Sequence, residues 1–316
     1  MPTRDSHFRS AILGSVAGEP DELDVTIVLP CYNEAAHVVQ ELDKITQAMD
    51  GSSYSYELLV IDDKSTDATL AVLTEALPRY PHMRLMPFQR NGGSGTARRI
   101  GSREGRGAII AWTDADLTYQ NDRIPDLVRF LDQNQEYDQV VGARTSEQGT
   151  YKFLRVPAKW VIRKTAERLA GSKIPDLNSG LRAFRKEVAL PYLRLLPPGF
   201  SSVTTITLAF LMNQHAVGFM QTEYYKRAGK SKFGFVSDAY RYILQVLRMI
   251  MYFNPLKVLM PVALWLLGIG IVKIIIDIIR YFFRITTSSV LLLITGLIIG
   301  AVALLADLIV RSRDDT

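Results

Sequence analysis

Over the first three quarters of the chain, short apolar runs alternate with amphipathic stretches. The runs at Asp24–Pro30, Tyr56–Ile61, Met83–Phe88, Ile109–Trp112 and Tyr137–Arg144 lack the strict in–out alternation of a half-solvated strand. They predict strands buried on both faces, as in a parallel sheet. Helices are expected between them, at about 34–49, up to about residue 77, and after the stretch 89–97. Strands alternating with helices imply an α/β fold with a mostly parallel, doubly wound sheet. Residues 173–185 read as a loop entering a strand. Helices at 186–195 and 202–213 and a strand at 216–225 follow. The pattern then changes. Val258–Ile279 and Val290–Val310 are almost wholly apolar, each close to the ~20 residues that cross a hydrocarbon core as a helix. Between them Arg280, Tyr281, Phe282, Phe283 and Arg284 form a basic, aromatic turn suited to an interface. Lys273 and Asp277 interrupt the first span. Four residues apart, they share a helix face and form either an intramembrane pairing site or, the better reading, a local ion pair that snorkels toward the interface.

Two amphipathic stretches complete this layout. Lys152, Arg155, Lys159, Arg163, Lys164 and Arg168 interleave with Phe153, Leu154 and Trp160, as suits a helix on an anionic membrane surface. Residues 235–253 carry apolar residues at helical spacing, with Arg241 and Arg248 on the other side, before Pro255 redirects the chain. The expected organisation is a polar tail at 1–22, a catalytic domain at 23–234, an interfacial helix at 235–254 and a transmembrane hairpin with a short tail at 255–316. The first twenty residues hold no apolar core, so no cleavable signal peptide is expected.

Composition narrows the function only slightly. The formal net charge of +5 fits a nucleic acid, a membrane surface or a phosphorylated substrate. No nucleic-acid-reading element is visible, so nucleic acid is set aside. Cys31 is the only cysteine, which excludes an intrachain disulfide and gives no sign of an oxidising compartment.

Candidate chemistry gathers at the ends of the apolar runs. The run 109–112 breaks into Asp114 and Asp116. In an extended chain residues i and i+2 point the same way, and ligands of open α/β sheets sit at the carboxyl ends of strands. The pair can share Mg²⁺ or Mn²⁺, which prefer oxygen ligands and can hold a diphosphate; the alternative is a pair of turn or cap aspartates. Pro30, Tyr32 and Glu34 can floor a nucleoside base, or can be simply a loop and helix start. Of Asp62 and Asp63, after the second strand, Asp63 is the better candidate for ribose hydroxyls or a base edge; Ser65 or Thr66, with Asp67, can equally cap the next helix. Gly92, Gly93 and Gly95 match neither a Walker loop nor a dinucleotide fingerprint. They are either backbone donors to phosphate or a flexible connection. Lys226–Gly234 is a basic loop able to clamp phosphates.

Pro30-Cys31-Tyr32-Asn33-Glu34, Asp62-Asp63-Lys64-Ser65-Thr66-Asp67, Asp114-Ala115-Asp116-Leu117, Gly142-Ala143-Arg144, Asn178-Ser179-Gly180-Leu181-Arg182 and Arg227-Ala228-Gly229-Lys230-Ser231-Lys232 occur in this order. The set resembles the inverting glycosyltransferases of family 2, and within them the polyprenyl-phosphate glycosyltransferases, the group of the dolichol-phosphate mannose synthases and bacterial undecaprenyl-phosphate glycosyltransferases. The resemblance covers about residues 24–234, and a two-helix hairpin also occurs in bacterial members. It implies a GT-A (Rossmann-like) catalytic domain, a nucleotide-sugar donor, a polyprenyl phosphate acceptor and a divalent metal, Mg²⁺ or Mn²⁺. It implies nucleotide-sugar contacts at Pro30, Tyr32, Glu34, Asp63, Asp114, Ala115 and Asp116, with the metal on Asp114 and Asp116. Diphosphate and acceptor contacts would fall on Arg144, Arg182, Arg227, Lys230 and Lys232, and Asp116, Asp176, Arg144 and Arg182 are the expected catalytic set. Many members carry Gln two residues after the second Asp; here Thr118 stands there, with Gln120 further on. Gln245-Val246-Leu247-Arg248-Met249 lacks the Trp of the processive synthases' membrane motif. The expected reaction is inverting transfer of a sugar to polyprenyl phosphate for glycan or cell-envelope assembly. The protein would be integral to the cytoplasmic membrane, with its catalytic domain facing the cytoplasm, and can form a homo-oligomer. The alternatives are another lipid or glycan acceptor, or a silent nucleotide-sugar-binding scaffold.

Overall fold

The computed structural model describes residues 8, 11–14, 22–145, 174–199, 201–225, 251, 255–280 and 285–314. The basic helix expected at 152–170, the loop at 226–234, the aromatic turn at 281–284 and nearly all of the interfacial helix at 235–254 lie outside the described residues. The chain divides into two compact units, Met1–Tyr242 and Ile243–Thr316.

The first unit is built on one seven-stranded sheet. Its strands are β1 (Leu23–Cys31), β2 (Tyr56–Asp62), β3 (Met83–Pro87), β4 (Gly107–Trp112), β5 (Gln139–Arg144), β6 (Arg182–Arg185) and β7 (Val217–Thr222). The order is β3-β2-β1-β4-β6-β5-β7. β1 pairs in parallel with β2 and β4, β2 with β3, and β5 with β7. β6 alone runs antiparallel, between β4 and β5. Helices α1 (Val38–Asp50), α2 (Thr69–Ala76), α3 (Ser94–Glu104), α4 (Ile124–Gln133), α5 (Lys186–Leu193) and α6 (Ser202–Met212) flank it.

The layering follows from the sequence pattern. α1 buries Val38, Glu41, Leu42, Ile45 and Met49, the spacing of one helix face. With α2 and α4 it covers a core that includes Ile27, Leu29, Val60 and Ala111. Residues of opposite parity, including Val28, Ile61, Ile110 and Trp112, meet α3, α5 and α6 on the other face. Both faces are therefore covered, which is why the strands read as unbroken apolar runs. After β1 the chain winds outward to β2 and β3, then returns to place β4 on the other side of β1. This reversal opens a crevice at the carboxyl ends of β1 and β4, where open α/β sheets bind ligands. At the opposite end, buried Glu57 accepts hydrogen bonds from Thr26, Arg84 and Arg106, so no charge is stranded there.

The second unit contains α7 (Pro255–Arg280) and α8 (Thr287–Asp314). Both helices are long and apolar enough to cross a membrane. Their apolar side chains face outward, Trp265 being 71% and Ile279 76% exposed, a surface suited to lipid rather than water. Lys273 and Asp277 form the expected ion pair, at 3.7 Å. They do more than pair: Asp277 accepts bonds from Thr286 (amide 3.1 Å, hydroxyl 2.6 Å) and from the Ser289 hydroxyl (2.5 Å). Lys273 donates to Thr286, Ser288 and Ser289. The carboxylate thus serves the amino end of α8, where backbone donors lack helical partners. That polar first turn also explains why α8 begins before the apolar pattern does.

Candidate active site

β4 ends at Trp112, so Asp114 and Asp116 lie on a turn rather than on an extended strand, and Leu117 adopts φ 61°. An extended backbone therefore does not aim the two carboxylates the same way; each is held by its own partner. Asp114 Oδ1 pairs with Arg98 Nη2 at 2.5 Å. Asp116 Oδ1 accepts the Thr118 hydroxyl at 2.5 Å and its amide at 3.3 Å. Thr118 thus orients Asp116, while the Gln120 side chain is spent on Glu223 and Tyr225. Ala115 is buried between the two acids.

Beneath the turn, Asn121 donates to buried Glu41 at 2.5 Å and to the Asp114 carbonyl at 3.5 Å, and accepts the Thr113 hydroxyl. Burial raises the Glu41 carboxyl above its ordinary range; the Asn121 bond opposes this and the Asp116 charge adds to it.

The loops after β1 and β2 are stitched together. Asn33, at φ 55°, accepts the Thr66 amide at 2.8 Å and donates its own amide to the Ser65 hydroxyl at 3.0 Å. The Glu34 amide reaches Thr69 at 2.9 Å. This leaves Pro30, Tyr32 and Glu34 half-buried on the rim of the crevice.

Asp63 departs from its expected role. It is 2% exposed, and its two oxygens accept the Gly92 and Gly93 amides at 2.6 and 2.7 Å. Burial raises its carboxyl, the two amides opposing. It braces the glycine loop, each oxygen already accepting one backbone amide and the side chain being buried. The loop is corrected with it. Gly95 donates to the Pro198 carbonyl at 2.8 Å, so the segment is neither an open phosphate cradle nor slack. Asp62 accepts the Ser65 amide at 3.2 Å, and its Oδ1 is buried without a hydrogen-bond partner.

The basic side of the crevice starts at the end of β5. Arg144 grips Asp176 through Nε at 2.6 Å and Nη2 at 3.0 Å; the side chains are only 12% and 10% exposed. Burial alone would raise the Asp176 carboxyl, but the Arg144 hydrogen bonds and charge outweigh it and hold it below the usual range. The Arg144 guanidinium lies 5.1 Å from the Tyr224 ring centre. Tyr224 meets Tyr119 edge-on at 5.3 Å, and the Tyr119 hydroxyl accepts the Gly180 amide at 2.7 Å. Gly180 then closes on Asp114. The contacts Arg144–Tyr224–Tyr119–Gly180–Asp114 connect the acidic turn to the basic loop.

Arg182 does not line this crevice. It is fully buried and donates to the Val203 carbonyl at 2.7 Å, the Thr207 hydroxyl at 2.6 Å and the Ser179 carbonyl. Burial pushes it down to about 9, with the Arg98 charge adding to the shift. The expected direct contact with diphosphate or acceptor is corrected accordingly: antiparallel β6 turns the side chain under α6. Arg227, Lys230 and Lys232 lie outside the described residues. Sequence reasoning missed Arg98, Glu41, Tyr119, Asn121 and Tyr224. Tyr119 and Asn121 follow the acidic pair closely, which was a usable signal; the burial of Arg98 and Glu41 was not legible.

Among the described residues no three His, Cys, Asp or Glu side chains cluster into a ready-made metal site. Asp114 and Asp116 fit a hard divalent ion that takes its other ligands from a diphosphate and water, the usual arrangement for Mg²⁺. A Cβ on Gly180 would stand 2.6 Å from Asp114 Oδ2 and 3.1 Å from the Tyr119 ring. Gly180→Ala is therefore expected to weaken cation-dependent nucleotide binding about ten-fold or more, ~1.4 kcal/mol. Calorimetric titration of Mn²⁺ with UDP or GDP checks this; unchanged affinity would remove Asp114 from the site.

Comparison with known proteins adds a family. Residues 26–192 match Glycosyl transferase family 2, and residues 254–312 match the GtrB C-terminal hairpin. The dodecaprenyl-phosphate galacturonate synthase of Rhizobium johnstonii is 28% identical over 74% of this chain and 68% of its own length. The undecaprenyl-phosphate 4-deoxy-4-formamido-L-arabinose transferase of Shewanella sediminis is 30% identical over 67% of this chain and 62% of its own. Among solved structures, glucosyl-3-phosphoglycerate synthase from Mycobacterium tuberculosis, in complex with Mn²⁺, UDP-glucose and phosphoglyceric acid, superposes with a TM-score of 0.56 at 18% identity. That match covers 74% of this chain and 85% of that one, a likeness of fold. With a GT-A-like sheet matched to the family from β1 into α5, and the hairpin matched behind it, this chain is a glycosyltransferase and belongs to glycosyl transferase family 2.

Proposed function

We propose that the protein transfers a sugar from a nucleotide-sugar to a polyprenyl phosphate held in the membrane, with inversion at the anomeric carbon. The observation that carries this reading is the linkage of the acidic turn to the Arg144–Asp176 pair through Tyr119, Gly180 and Tyr224. A site for a cation and diphosphate is thereby joined to a site for a second anion. The hairpin and the relatives that use dodecaprenyl and undecaprenyl phosphates support a lipid acceptor.

The acceptor is a phosphate monoester, with a second pKa of about 6, so it arrives as an anion and needs no strong general base. The residues' tasks are to bring two anions together and to stabilise the leaving group. A divalent ion, Mg²⁺ or Mn²⁺, at Asp114 and Asp116 would supply Lewis-acid stabilisation of the departing nucleoside diphosphate. Thr118 holds Asp116 for that purpose. Arg144, fixed by Asp176 and stacked on Tyr224, presents preorganised positive charge, with Arg227, Lys230 and Lys232 adding to it. Pro30, Tyr32 and Glu34 seat the nucleoside, beside Asp62 and Asp63. Arg182 acts from below by fixing the Ser179–Gly180 backbone. The hairpin anchors the chain in the bilayer that holds the polyprenyl tail, and the catalytic domain faces the cytoplasm, where nucleotide-sugars are made.

A donor screen tests this. Radiolabelled UDP- and GDP-sugars are offered to the detergent-purified protein with polyprenyl phosphate, diacylglycerol or no lipid, with and without EDTA. EDTA-sensitive labelling of polyprenyl phosphate by one donor is expected. Labelling of diacylglycerol instead would overturn the acceptor, and nucleotide binding without labelling of any lipid would favour a silent scaffold.

A further inference from the structure

Arg98 lies on the buried face of α3, among Gly95, Thr96, Ala97, Ile100, Gly101 and Ser102. It is 1% exposed. Its guanidinium sits 5.5 Å from the Trp112 ring centre, and Nη2 reaches Asp114 Oδ1 at 2.5 Å. Nε and Nη1 are buried with no hydrogen-bond partner. A buried guanidinium with one carboxylate and unmet donors is an expensive arrangement, so packing alone does not explain it. Asp114 stays 25% exposed, and among the described residues its Oδ2 accepts no hydrogen bond. The ion pair therefore ties up one oxygen and reserves the other for a ligand.

The charges give this geometry a consequence. Asp114 and Asp116 bring two negative charges, and Arg98 cancels one of them. A bare divalent ion approaching the turn is attracted less than two carboxylates alone would attract it, and meets a guanidinium one carboxylate away. An ion arriving with a nucleoside diphosphate brings its own compensating charge, and the guanidinium then attracts the diphosphate.

Resting on the reading that Asp114 and Asp116 hold the cation, we propose that Arg98 is a positioning residue that fixes Asp114 and makes cation binding conditional on the nucleoside diphosphate. The ion and nucleotide bind as a unit, and the empty turn discriminates against free divalent metal. Arg98 itself touches neither the sugar nor the acceptor.

The test is Mn²⁺ binding to the full-length protein in detergent, followed by the loss of the free-ion electron paramagnetic resonance signal, alone and with saturating UDP or GDP. Wild-type protein is expected to bind bare Mn²⁺ weakly and to bind it at least ten-fold more tightly with the nucleotide. Arg98→Gln should bind bare Mn²⁺ several-fold more tightly than wild type while losing most of the nucleotide's enhancement. Arg98→Lys, which keeps the charge, should remain wild-type-like in bare-ion affinity. A purely structural role predicts that Arg98→Gln weakens both affinities together, and that result overturns the inference, as does an Arg98→Gln protein indistinguishable from wild type. Should Arg98→Gln fail to fold, an Arg98→Lys protein that binds bare Mn²⁺ as tightly as with nucleotide overturns it. If wild-type protein binds no Mn²⁺ under any condition, the cation reading of Asp114 and Asp116 fails, and this inference with it.

Discussion

Asp116→Ala is expected to abolish sugar transfer, lowering kcat/KM by about 10³-fold or more, the scale seen when preorganised stabilisation of developing charge is removed. The side chain is half-buried on a turn, and it accepts the hydroxyl and amide of Thr118, two residues away. The fold should tolerate its loss, with a change in stability of about 1 kcal/mol or less. Thr118→Ala separates support from ligation: it removes the hydroxyl that orients Asp116 and should cost far less than removing the carboxylate. Transfer assays beside thermal melts check both expectations. A fully active Asp116→Ala protein would sink the cation scheme.

Asp176→Ala is expected to be the most damaging of the site changes to stability. It leaves the Arg144 fork, 12% exposed, without its carboxylate, and breaking one side of a buried pair costs about 3–5 kcal/mol. The expected effect has a pH signature. The Asp176 carboxyl is held below its ordinary value, the Arg144 pairing outweighing burial. Its contribution is therefore fully present above the unfolded value of about 3.9 and is lost as pH falls through the lower folded value. Denaturant melts at pH 7 and at about pH 3 should show the gap between wild type and variant narrowing at acid pH. A gap that does not change would mean that Asp176 contributes packing rather than charge. Activity should fall as well, because Arg144 then has no fixed direction.

The sequence carried the strands, the helices at α1, α5 and α6 and the hairpin because each is written in a local pattern: unbroken apolar runs for a doubly covered sheet, helical spacing for α1, long apolar spans for α7 and α8. It also marked the end of β4, since the acidic pair interrupts an apolar run where a strand must end. What it did not carry were contacts between segments distant along the chain. Asp63 looked like a ribose ligand because nothing local reveals that Gly92 and Gly93 return to it. The resemblance put Arg182 against diphosphate or acceptor, because the antiparallel setting of β6, and so the direction of its side chain, depends on long-range pairing. Arg98 was invisible for the same reason: its partner lies sixteen residues on, in the next strand's loop. Asp277 was read as half of a helical ion pair, which it is, but its cap on the next helix needed the hairpin to close.

The most direct test of the central claim is a stoichiometric ³¹P nuclear magnetic resonance experiment on one reaction mixture. The purified protein is incubated with the labelling nucleotide-sugar, polyprenyl phosphate and Mn²⁺, and all phosphorus resonances are followed together. The account predicts that the lipid's phosphate monoester signal is replaced by a phosphodiester signal, one for each nucleoside diphosphate released. Release of nucleoside diphosphate with the lipid monoester signal unchanged would contradict it, because the sugar would then have gone to water or to an acceptor other than the polyprenyl phosphate.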